Sequence, residues 1–138
     1  MGSTQIRICK DGKIVLEEPA VVAVDVRNGR VLAAGNECLV YFGRLIDYIQ
    51  NVRPIKNGQV VDYGLFEQMM IFFRKERLKK HRPIRWALVA VSDQTMENSD
   101  ELRALEESLK MSFAHEVHFI GTSAALAIEM GLVDKSKS

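Results

Sequence analysis

Arg74-Lys75-Glu76-Arg77-Leu78-Lys79-Lys80-His81-Arg82, followed closely by Arg85, is the densest run of chemistry-bearing residues in the chain. Its fixed cations are Arg74, Lys75, Arg77, Lys79, Lys80, Arg82 and Arg85. Such a patch suits an anionic membrane surface, where each basic residue contributes about 1 kcal/mol. Nucleic acid is not expected, because no aromatic residues alternate with these charges to stack on bases. The plain reading is a solvated helix end whose cations oppose the negative pole of the helix dipole. Sequence alone leaves the lipid reading and the plain one both standing.

The other candidates are weaker. His81, His115 and His118 do not converge, and His115 and His118, three apart on a predicted strand, point to opposite faces. No metal site is expected from them. Cys9 and Cys38 lie in apolar contexts without C-x-x-C spacing, so they read as buried thiols of a reducing compartment. Asp62 precedes a helical pattern and reads as a cap rather than a catalytic acid. Asp25, Asp47 and Asp93 have no partner that spacing reveals.

The elements that must position these residues alternate in type. Ile6–Cys9, Ile14–Leu16, Val21–Val26 and Val31–Ala34 read as strands, punctuated by the turn dipeptides Asp11-Gly12 and Asn28-Gly29. Pro19 marks a bulge or a sheet edge. Leu39, Phe42, Leu45 and Ile46 predict a short helix between Asn36 and Tyr48, weakened by Gly43. A longer helix is predicted from Tyr63 to Lys80, with Leu65, Phe66, Met69, Met70, Phe72 and Phe73 as its apolar stripe and Pro83 as its stop. Trp86–Val91 is a continuous apolar run, expected to be a strand buried on both faces. Asn98 with Glu101 starts a helix carrying Leu102, Leu105, Leu109 and Phe113 inward, with Glu106 and Lys110 paired outside. Val117–Ile120 is a further strand, and Thr122 or Ser123 caps a last helix closed by Gly131. Helix–strand–helix–strand–helix order predicts parallel strands.

The chain has 138 residues, 47% hydrophobic and 27% charged, with formal net charge +1. That suits one domain with a real core, residues 1–138, ending in a polar tail at 134–138. No secretory signal and no apolar run near the roughly 20 residues of a bilayer span are present, so a cytoplasmic protein is expected.

Four segments in order, IVLEEPAVVAV, GRVLAAGNE, VRPIKNGQVVDY and RALEES, together with HEVHFIGTSAALAIEMGL, resemble the first half of MreB, the bacterial actin-like family of rod-shaped cells. The resemblance implies an α/β, ribonuclease-H-like (actin-like ATPase) half-domain, a mixed sheet flanked by helices. It also implies a small inserted helical segment at residues 36–50 and a place at the inner face of the cell membrane. In that family the strand resembling HEVHFI runs into an acidic pair and a proline, and one acid positions the water that attacks ATP. Gly121 and Thr122 occupy the acidic positions here, and Ser123 the proline. Ser3, Thr4 and Gln5 fall at the end of the family's phosphate loop, so they are its remnant; the first strand with its aspartate is expected to be missing. No cofactor is therefore expected, and ATP with magnesium enters only if a second polypeptide completes the site. The expected partners are a second copy, by strand or element exchange, or the filament of a full-length MreB-like protein.

Overall fold

The structure, a computed structural model, describes residues 5–10, 13–39, 47–81 and 84–129. It divides into two compact units, residues 1–82 and 83–138.

In the first unit, β1 (Gln5–Lys10) and β2 (Lys13–Pro19) pair antiparallel, from Gln5↔Pro19 to Lys10↔Lys13. Pro19 closes β2, and the irregularity in the pairing falls between Ile8 and Cys9 instead. The Asp11-Gly12 turn lies outside the described residues. β3 (Val22–Asp25) is the middle strand of an antiparallel sheet ordered β4-β3-β5, with β4 at Arg30–Ala34 and β5 at Ile49–Val52. The Asn28-Gly29 turn joins β3 to β4: both N–H groups donate to the Asp25 carbonyl, at 3.3 and 2.7 Å. Val21, Ala23, Ala33 and Cys38 form the core beneath, with Ile49 against them.

A 3₁₀ turn, Gly35–Cys38, stands where the helix of residues 36–48 was expected to begin. Residues 40–46 lie outside the described residues, and Asp47-Tyr48 is a turn leading into β5. β6 (Ile55–Lys56) and β7 (Gln59–Val60) form a minimal hairpin around Asn57-Gly58, whose φ angles of 53° and 77° are those of a two-residue turn.

Helix α1 (Tyr63–Glu76) opens on Asp62, whose Oδ1 accepts from the Leu65 N–H at 3.0 Å. Phe66, Met69, Met70 and Phe73 are its buried face, and the helix packs on β4. It ends before Lys80, earlier than its charge pattern predicts. The N–H groups of Arg77 and Leu78 both close on the Phe73 carbonyl, at 2.9 and 3.0 Å, and Leu78 turns fully inward. Lys79–His81 then forms a separate 3₁₀ turn.

In the second unit, β8 (Trp86–Val91) and β9 (Glu116–Gly121) run parallel, from Trp86↔Glu116 to Val91↔Gly121. Between them lie α2 (Asp93–Met96) and α3 (Ser99–Ser112); α4 (Thr122–Glu129) follows β9. The Asn98 side chain accepts from the Glu101 N–H at 3.1 Å. Leu105, Leu109 and Phe113 are buried, Leu102 is half-buried, and Lys110 meets Glu106 at 3.0 Å outside. The short α2, capped by Ser92, was not legible from periodicity. The expectation that β8 is buried on both faces fails: Trp86, Leu88 and Ala90 are exposed while Val91 is buried. Only one face of the strand is covered, so its unbroken apolar run is one-sided in use.

Candidate functional site

Parallel sheets offer ligand sites beyond the carboxyl ends of their strands. Here the chain past β8 supplies Ser92, Asp93 and Thr95, and the end of β9 supplies Gly121, Thr122 and Ser123. Parallel register brings the two groups together. Asp93 Oδ2 accepts from Ser123 Oγ at 2.5 Å, and Oδ1 accepts from the Ser123 N–H at 3.3 Å. Thr122 Oγ1 donates to the Val91 carbonyl at 2.9 Å, tying the end of β9 back to β8. Ser92 Oγ accepts from the Thr95 N–H at 3.1 Å and donates to Thr95 Oγ1 at 2.8 Å.

Gly121 is the space-giver. A Cβ at that position would stand 2.5 Å from Asp93 Oδ1 and 3.4 Å from Met96 Cγ. The volume that a side chain at 121 needs therefore holds the Asp93 carboxylate. That carboxylate in turn caps α4 across the two strands, because it satisfies an amide in the helix's first turn. A hydroxyl beside a carboxylate is not an activated nucleophile without a base to take the proton. His115 is exposed ahead of β9, and His118 is paired with Glu116 at 3.0 Å. Among the described residues no group of three or more His, Cys, Asp or Glu could hold a metal ion.

The remaining residues singled out from sequence are scattered. Ser3 and Thr4 lie outside the described residues, and Gln5 opens β1 opposite Pro19, exposed. In the first unit Lys75, Lys79 and Lys80 are exposed and Arg74 is half-buried. Arg77 is turned inward: its Nε donates to Glu18 at 2.7 Å, and a second nitrogen meets Glu37 at 3.1 Å. Burial pulls the Arg77 guanidinium's pKa down, but its hydrogen bond to Glu18 and the charges of Glu18 and Glu37 outweigh that and hold it above the usual value. Arg82 lies outside the described residues, and Arg85 is exposed at the start of the second unit. A shallow cleft of roughly 200 Å³ beside α1 is lined by Val31, Gln68, Ile71, Phe72, Lys75 and Glu76. Those residues offer no convergent acid, base or nucleophile.

Asp93, for which spacing reveals no partner, has one in Ser123. Its signal was indirect: in parallel register, the first residues past β8 and past β9 must become neighbours.

The crystal structure of MreB5 of Spiroplasma citri bound to ADP aligns with 88% of this chain and 36% of its own, at a TM-score of 0.71 and 21% identity. The fold is accordingly that of an actin-like α/β half-domain. The family model for MreB/Mbl protein matches residues 1–137, and the chain belongs to that family. It is 40% identical over 74 residues to the cell shape-determining protein Mbl of Bacillus cereus, covering 53% of this chain and 22% of that one. It is 34% identical over 134 residues to the cell shape-determining protein MreB of Haemophilus influenzae, covering 91% and 37%. The chain thus spans little more than a third of the length of these relatives at most. No helix among the described residues is long and apolar enough to cross a membrane.

Proposed function

We propose that this chain is a non-catalytic MreB-like protein of the cell-shape cytoskeleton, cytoplasmic, which docks on the filament of a full-length relative or associates with itself. The Asp93–Ser123 contact carries the reading. Where the family resemblance puts an acidic pair, this chain has Gly121 and Thr122, and the Asp93 carboxylate beside them is engaged as a helix cap. Each of its two oxygens already accepts a hydrogen bond from Ser123. Filament contact needs no such acid, since it uses the surfaces of the half-domain. Co-sedimentation with a polymerised full-length MreB tests this: saturable pelleting is expected, and exclusion from the pellet at every ratio rejects it.

A second reading is a nucleotide-dependent ATPase switch completed in trans by another polypeptide. It is favoured by the hydroxyls of Thr122 and Ser123, which follow the carboxyl end of β9, where Thr122 Oγ1 bonds the Val91 carbonyl at the end of β8. Ligand linkage then requires ATP with magnesium to raise the melting temperature of the chain together with its partner.

Exposed Lys75, Lys79 and Lys80 offer a basic surface to anionic lipid at the inner face of the membrane. Flotation with anionic vesicles at low salt tests that part, and failure to float removes it.

A further inference from the structure

Two Asn-Gly dipeptides occur in the chain, Asn28-Gly29 and Asn57-Gly58, each in a turn and each preceded by a basic residue, Arg27 or Lys56. Glycine has no Cβ to hinder its backbone nitrogen from reaching the carboxamide before it. Sequence therefore gives the two sites the same chemistry. The structure separates them.

At Asn28-Gly29 both reacting groups are held. The Gly29 N–H donates to the Asp25 carbonyl at 2.7 Å, and Asn28 Oδ1 accepts from the Arg30 N–H at 3.0 Å. The turn also joins β3 to β4, whose Val22, Ala23, Ala33 and Ala34 are buried. At Asn57-Gly58 neither group has a hydrogen-bond partner among the described residues. The bond that closes a two-residue turn runs between the flanking residues, here Lys56 and Gln59. The strands so joined have two residues each, and the Val61 N–H extends the pairing by one bond to the Pro54 carbonyl, at 2.8 Å. So short a hairpin opens at small cost, whereas opening β3 from β4 breaks into a core. Asn98, before Ser99, has its carboxamide engaged as the cap of α3.

We propose that Asn57 is a site of spontaneous modification, deamidating through a cyclic imide to aspartate and isoaspartate while Asn28 and Asn98 persist. At φ 53° the closed turn directs the Gly58 nitrogen away from the Asn57 carboxamide, so the ring forms from the opened hairpin. The Gly58 nitrogen bonds to Asn57 Cγ, and the side-chain nitrogen leaves as ammonia with the proton of the attacking amide. Solvent water then opens the imide. Cleavage at Cγ gives aspartate, and cleavage at the backbone carbonyl gives isoaspartate, with the main chain routed through Cγ.

Either product lowers the formal net charge of +1 by one. Aspartate keeps the hairpin, because Asp-Gly suits the same turn. Isoaspartate adds one backbone atom to a two-residue turn, so Lys56 and Gln59 lose their register. That loss falls just ahead of Asp62, the cap of α1. The inference goes beyond filament docking and nucleotide binding and depends on neither.

The test incubates the purified full chain in mildly alkaline buffer. Peptide mass spectrometry reads the amide-to-acid mass gain at each asparagine, and an isoaspartate-specific methyltransferase reads the rearranged product. In the folded chain Asn57 should convert about tenfold faster than Asn28 or Asn98, or more, with isoaspartate among its products. In denaturant the rates of Asn28 and Asn57 should converge. Gly58→Ala should slow conversion at Asn57 about tenfold, since a Cβ then hinders ring closure. Asn28 converting as fast as Asn57 in the folded chain overturns the proposal. So does an Asn57 that stays intact while the denatured chain converts. A difference that persists in denaturant assigns the selectivity to sequence and overturns the structural argument. Aspartate without isoaspartate overturns the cyclic imide. Should Gly58→Ala fail to fold, the folded and denatured parent chain still decide.

Discussion

The Asp93 carboxylate grips both the hydroxyl and the amide of Ser123, thirty residues away, and in doing so fills the space beside Gly121. One acid thus closes the end of the parallel pair and starts α4. Asp93→Ala should cost about 1 kcal/mol, the worth of a helix cap, read as a lower melting temperature. Gly121→Glu, which restores an acid at a family position, should cost more, roughly 2 kcal/mol, because its Cβ must displace Asp93. The double variant should be less destabilised than the sum of the two by about 1 kcal/mol, since removing Asp93 makes the room.

Arg77 leaves the register of α1 to join Glu18 and Glu37, and Glu18 also accepts from the Asn36 N–H at 2.9 Å. Gly35 lies in the left-handed region at φ 65°, with Glu18 and Phe73 where a side chain would go. The ion pair therefore holds the 3₁₀ turn, β2 and the end of α1 as one unit. Breaking a buried pair by removing one member costs about 3–5 kcal/mol. Arg77 keeps 23% of its side-chain surface in solvent, which favours the lower end, about 3 kcal/mol, for Arg77→Met in chemical denaturation. Glu18→Gln should cost less, because the amide oxygen still accepts from Asn36.

Much of this architecture was legible in the residues. The Asp62 and Asn98 caps, the inward faces of α1 and α3, and the β8–β9 pair all follow from local rules of spacing and capping. What escaped depended on tertiary partners. Nothing in the basic run distinguishes Arg77 from its neighbours; only Glu18, 59 residues away, draws it inside. The apolar run of β8 predicted two covered faces, because composition cannot say whether a neighbour is present. Asn57-Gly58 is the reverse case: a strong hairpin dipeptide whose flanking strands, two residues each, are too short to show alternation.

Cys38 is fully buried against Val21 and Ala23. Burial, and after it the charge of Glu37, pushes its thiol up to about 11. The folded state therefore holds the neutral thiol. Its contribution to stability is complete below the ordinary value of 9.0 and is lost as pH rises from there toward 11. At neutral pH Cys38 should react with thiol reagents only as fast as the unit opens, so its labelling rate should rise with denaturant and not between pH 7 and 8.

Asp25 ends β3 and receives three hydrogen bonds from Arg27: backbone N at 3.0 Å, Nε at 3.0 Å and a terminal nitrogen at 2.9 Å. The side-chain bond from Arg27 leads in holding its pKa below the ordinary 3.8, against the opposing effect of burial. The native state thus binds this proton less readily than the unfolded chain. Its contribution is fully present above pH 3.8 and is lost as pH falls through the lowered native value. In melting temperature against pH, the advantage of the parent over Asp25→Asn should be constant near neutrality and shrink below about pH 4. An advantage that persists unchanged into stronger acid would show that the charge of Asp25 is not what matters.

The most direct test of a site closed to chemistry is phosphate release from ATP with magnesium by the purified chain. The account predicts a rate equal to that of buffer at every protein concentration, unchanged in Asp93→Asn. Release proportional to the amount of chain, and abolished by Asp93→Asn, would contradict it.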